Sequence, residues 1–130
     1  MRPTPKSAFQ IALIAAMCSL PSITQPQSQP LSQSMAECGG MMLAAAEFLQ
    51  DPEHQRELVR RAQEWASAGV EQARSEGHVY PDFFVESTFR SAFEDWLTEG
   101  DATVLSEEFR DWNQYCQSLA DARGLDLAQG

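Results

Sequence analysis

Two cysteines, Cys38 and Cys116, stand about eighty residues apart in a chain whose N-terminus reads as an export signal. Thiols that leave a reducing cytosol meet oxidising conditions, so two of them in one small domain are expected to join. A crosslink over that separation admits only folds in which the first and last parts of the domain lie side by side. The pair therefore constrains topology before any helix or strand is assigned.

The export reading rests on the first 24 residues. Arg2 and Lys6 form a positive start, and Phe9 to Leu20 forms an apolar core. That core is shorter than the roughly 20 apolar residues a spanning helix needs. Pro21 breaks it, and the small residues Ser22 and Thr24 place cleavage near Thr24–Gln25. One alternative is an uncleaved anchor. Another is a lipoprotein held in the membrane through Cys18, although Met17 is larger than the residue a lipobox wants before its cysteine. Residues 25–33, rich in Gln, Pro and Ser, read as a disordered spacer. Residues 34–130 remain as one helical domain, periplasmic or secreted, with no later stretch apolar enough for stable membrane insertion.

Within that domain the apolar residues recur at helical spacing, and none alternates as a strand would. Ser34 with Glu37 matches a capping box, so the first helix is expected over residues 34–50. Its apolar residues cover much of the circumference, as in a central or interface helix. Gly39 and Gly40 each cost about 1 kcal/mol in a helix, which close approach of a neighbouring helix would offset. Asp51-Pro52 starts a second helix that ends by Gly77. Asp82 is expected to cap a third, over residues 83–98, ended by Gly100. Asp101 or Ser106 caps a fourth, which runs to Arg123 before Gly124. Four such helices predict an all-α, antiparallel four-helix bundle-like domain. Its first and fourth helices are antiparallel, which brings Cys38 level with Cys116 and lets one disulfide join them.

Charge narrows the function classes. The formal net charge is −10, and loss of Arg2 and Lys6 with the leader takes it to about −12. Such a surface repels nucleic acid and anionic lipid, so a charged partner is expected to be basic. The sequence carries no Gly-x-Ser-x-Gly elbow, P-loop, dinucleotide fingerprint or His-Glu-x-x-His. Residues 101–108 lack the central glycine of a calcium loop. No catalytic residue and no cofactor are assigned, and the chain is not expected to be an enzyme. His54 and Glu57, one turn apart, and His78 are weak metal candidates; the paired Glu-x-x-His of a di-metal bundle is absent. The distant cysteines also differ from the close pairs of redox enzymes.

Aromatic residues concentrate in the second half: Phe83, Phe84, Phe89, Phe93, Trp96, Phe109, Trp112 and Tyr115. They are expected to form a core between the third and fourth helices. An alternative is a surface for a small apolar ligand or a protein partner, built from Met35, Met41, Met42, Phe84, Trp96 and Trp112. A homodimer is one form such a surface could take. The resulting expectation is an exported, non-enzymatic binding or accessory protein whose partner the sequence does not name. In size and plan the chain is similar to acid-stress periplasmic chaperones, with no shared motif. That resemblance implies a second function, client binding in acid, and a metal-binding bundle is a third.

Overall fold

The computed structural model describes residues 29–125. The assigned leader, Cys18 and spacer residues 25–28 lie outside them. Four helices follow one another: α1 (Leu31–Phe48), α2 (Pro52–Ser75), α3 (Pro81–Glu99) and α4 (Glu107–Arg123). A 3-10 turn, Asp101–Leu105, joins α3 to α4, and no strand occurs among the described residues.

Most boundaries follow local chemistry. The Asp51 carboxylate accepts the Glu53 N–H at 3.3 Å, and Pro52 opens α2. Of the two candidate caps for α4, Ser106 is the one used, accepting the Phe109 N–H at 3.1 Å. Asp101 instead opens the 3-10 turn. Gly124, with φ of 70°, closes α4 in the left-handed region that favours glycine.

Two helix starts differ from expectation. Helix α3 begins at Pro81, with Tyr80 at the cap position and Asp82 already helical, because proline's fixed φ suits the first helical position. Helix α1 begins at Leu31, so Ser34 is buried in its second turn and is not a cap. The cap comes from α2. Glu76, at the C-terminal end of α2, accepts the Ser32 N–H at 3.2 Å and the Ser32 hydroxyl at 2.5 Å. At the other end, the Gln55 amide donates to the Ala46 and Leu49 carbonyls at 3.2 and 2.7 Å. Helix α2 thus satisfies orphan backbone groups at both ends of α1.

The order of contacts gives the topology. Along α1, Met35 lies by Gly69 and Gly39 by Trp65, so α2 runs antiparallel to α1. Ala36 packs with Val85, and Gly40 lies against Phe89 and Phe93, so α3 runs parallel to it. Cys38 is bonded to Cys116, with an S–S distance of 2.06 Å and a Cα–Cα distance of 5.8 Å. Arg123 reaches Gln72, near the start of α1, so α4 is antiparallel to α1. The sequence expectation of an up-down-up-down, disulfide-closed helical bundle is met.

Helix α1 is the centre of that bundle. Twelve of its 18 residues are buried, and its wide apolar face lies against the other helices. The glycine pair explains the fit with α3. A Cβ on Gly40 would lie 2.4 Å from the Phe89 carbonyl oxygen and 2.9 Å from the Phe93 nitrogen. Those are backbone atoms, so only a side chain of one hydrogen lets the two helices approach this closely. The aromatic-rich second half forms no core of its own. Phe89, Trp96, Phe109, Trp112 and Tyr115 are half-buried against the α1-centred core, and Phe83 is 73% exposed. Helices α3 and α4 make few close backbone approaches.

Candidate binding groove

A groove of 660 Å³ lies between α3 and α4, bordered also by Gln33 and Glu37 of α1. Each helix contributes residues at helical spacing, which keeps them on one face. Helix α3 presents Thr88, Ser91, Ala92, Asp95, Trp96 and Glu99, with Ser87 at the edge. Helix α4 presents Glu108 and Trp112, one turn apart. The open shape follows from the packing: α3 is drawn against α1 at Gly39–Gly40, while α4 is pinned to α1 at Cys38.

The lining combines two indoles, three hydroxyls and four carboxylates, with no basic side chain among its described residues. The ion pairs of the described residues lie elsewhere, as in Arg74–Glu71 and Arg90–Glu86. Glu37 receives the Gln33 amide at 3.2 Å and the Gln29 amide. Asp95 and Glu99 are i,i+4 like charges, an arrangement that costs a helix a few tenths of a kcal/mol. Each indole has an aromatic neighbour at nearly a right angle to it. Trp96 meets Phe109 at 5.5 Å between centroids, and Trp112 meets Tyr115 at 5.9 Å. Such T-shaped contacts are a preferred arrangement of aromatic pairs. The groove can therefore accept hydrogen bonds, attract cations and stack on flat or alkyl groups.

Of the six residues proposed from sequence for an apolar surface, two meet here, Trp96 and Trp112. Met35, Met41 and Met42 do not form a surface. They are buried in the core around the disulfide, with Met41 at 0% exposure. Phe84 packs with Ala36, Ala73 and Val85 and stacks on His78 at 4.1 Å. The carboxylates were missed individually because Glu37, Asp95, Glu99 and Glu108 sit on three helices. Only the unfavourable Asp95–Glu99 spacing was visible in one segment.

The metal candidates do not converge. His54 Nδ1 pairs with Asp51 at 2.8 Å and is 76% exposed. Glu57 is bridged by Arg60 at 3.0 Å and Arg61 at 3.1 Å. The hydrogen bond from Arg60 leads in lowering its pKa to about 2, opposed by desolvation and aided by Arg61. Its oxygens thus already serve two guanidinium groups. His78 faces Glu76 at 3.5 Å. No group of three or more His, Cys, Asp or Glu side chains that could hold a metal ion occurs among the described residues. Among them, too, no helix is long and apolar enough to cross a membrane.

Comparison with protein-family models, with curated proteins and with solved structures finds no match to this chain.

Proposed function

We propose that the protein is an exported, non-enzymatic binding or accessory protein that engages its ligand in the α3–α4 groove. The observation that carries this reading is the convergence of Trp96 and Trp112, from two different helices, on one open groove lined by polar groups. Ligand sites commonly combine aromatic contact area with a few polar groups that orient the ligand. The lining is too polar for a wholly apolar ligand, which moves the reading away from the apolar surface expected from sequence. The formed disulfide supports a periplasmic or secreted location, and intact mass of the natively exported chain reports the cleavage site and any lipid on Cys18.

The test uses the three indole N–H signals in a 15N NMR spectrum. Trp65 is fully buried in the core and serves as an internal reference. A fragment set with neutral, anionic and cationic members is titrated into the full domain. Shifts that converge on Trp96 and Trp112 and spare Trp65 support the groove. Hits confined to a different recess, such as the one of 540 Å³ beside Arg56 and Val59, or no hits at all, refute it.

A further inference from the structure

We infer that the groove takes a small, linear organic polycation of the polyamine type, an assignment that rests on the groove being the binding site. Three properties of the groove lead there. First, its charge is one-sided: Glu37, Asp95, Glu99 and Glu108 line it and no basic residue does. None of the described basic side chains forms an ion pair with Asp95, Glu99 or Glu108, so a cation would not have to displace an arginine from them.

Second, the charge is extended. From Ser87 to Glu99 the α3 wall runs for about 18 Å at the rise of a helix. Asp95 and Glu99 lie one turn apart on it, Glu37 belongs to α1 and Glu108 to the opposite wall. One compact cation meets only part of this set. A chain of ammonium groups separated by methylenes has comparable length and can meet all of it.

Third, the apolar part suits methylenes and ammonium groups together. Trp96 and Trp112 both line the groove, and indoles supply cation–π attraction and contact area for alkyl segments. The hydroxyls of Ser87, Thr88 and Ser91 can accept hydrogen bonds from ammonium N–H donors. A peptide is the less suited occupant, because helical walls have their backbone groups already bonded and offer no edge for strand addition.

The test is calorimetric titration of the full domain with spermine, repeated with a neutral polyether of equal length and with a lysine-rich peptide of equal charge. Indole shifts are followed in parallel. Spermine is expected to bind with a stoichiometry near one, to move Trp96 and Trp112 and not Trp65, and to weaken as salt rises. The double variant Asp95→Asn/Glu99→Gln removes a repulsive pair and so should fold; it is expected to bind roughly tenfold more weakly. Trp112→Leu is expected to lose about fivefold. Glu53→Gln/Asp121→Asn removes the same charge away from the groove and should leave affinity unchanged. Equal weakening by both double variants reduces the effect to general charge attraction and overturns the assignment. If the polyether moves the two indoles as strongly as spermine, the groove stands and the cation assignment falls. If the peptide binds tenfold tighter than spermine through the same indoles, the small-molecule class falls. If no probe moves either indole, the groove reading falls with it.

Discussion

The contact between α1 and α3 makes a prediction whose sign is set by geometry alone. Alanine is a better helix former than glycine by about 1 kcal/mol, so on propensity Gly40→Ala and Gly69→Ala should both stabilise. Both positions are helical and buried. They differ in what a methyl group would meet. At Gly69 the nearest atoms are a Val85 methyl at 3.4 Å and the Met35 Cβ at 3.6 Å, ordinary packing distances. At Gly40 they are the Phe89 carbonyl oxygen at 2.4 Å and the Ala92 Cβ and Phe93 nitrogen at 2.9 Å. Relief there requires α3 to move as a body, because no rotamer change clears a backbone atom. Overpacking of a tight interior costs typically about 1–3 kcal/mol and occasionally more, and the Gly40 geometry belongs at the upper end. After the propensity gain, Gly40→Ala should lose about 2 kcal/mol. In a domain near a hundred residues that lowers Tm by about 10 °C, whereas Gly69→Ala should raise it by a few degrees. Thermal unfolding followed by circular dichroism, with the disulfide intact, measures both. A rise in Tm for Gly40→Ala, or shifts of the same sign for the two variants, would show that α1 and α3 do not meet as described.

Three further outcomes follow from other contacts. Opening the Cys38–Cys116 bridge by reduction, or by Cys38→Ser/Cys116→Ser, frees a 78-residue loop; the chain-entropy estimate is about 4.5 kcal/mol, and hydrogen exchange should show α4 losing protection before α1. An unchanged unfolding midpoint on reduction would contradict this. The Glu76 pKa is raised by burial, but the Ser32 hydroxyl, the Gln72 amide, the Ser32 N–H and His78 outweigh that, so the net shift is downward from 4.5. A depressed folded pKa means the stabilisation is present above 4.5 and fades as pH falls through the folded value. Glu57, held at about 2, acts with the same sign. Urea unfolding between pH 6 and 2 should show Glu76→Gln with a shallower loss than the parent chain, and parallel curves would remove the tertiary cap. The same titration with an apolar-binding dye tests acid-triggered client binding, for which dye uptake should begin as this cap fails. Gln55→Ala removes the amide that donates to the Ala46 and Leu49 carbonyls; the Ala46 carbonyl keeps the Leu49 N–H, so the cost should be about 1 kcal/mol, that of the one hydrogen bond at Leu49, and a loss near zero would mean that water replaces the amide there.

What was legible in the sequence is what local chemistry decides. Asp51-Pro52, Ser106 and Gly124 act within a turn of themselves, and each ends or starts a helix where spacing places it. The cysteines were readable because two stripes and one topology had to agree. Ser34 misled because a capping box is judged over four residues, whereas the Ser32 N–H at the start of α1 is satisfied from Glu76, 44 residues away. The methionines misled differently. Periodicity reports that a face is apolar, and on α1 it cannot say whether a partner or the rest of the same chain covers it. Here the chain covers it, and Met35 and Met41 are interior. The groove was legible only in its tryptophans. Its carboxylates belong to segments far apart in sequence, and in one dimension they merge into a generally acidic surface.

The double attachment of α1 to α2 has a consequence for how this chain can change over time. Glu76 holds one end of α1 and Gln55 the other, so α2 measures α1 as a ruler measures a rod. Adding one residue between those two grips advances the helix by about 1.5 Å and turns it by about 100°. Cys38, Gly39 and Gly40, which must face α4 and α3 at the same time, could not all stay in register with both grips. Length change should therefore be tolerated in the 3-10 turn before α4, where Leu105 is 84% exposed, and excluded from α1. The most buried helix of the domain is also the one whose length is fixed from outside itself.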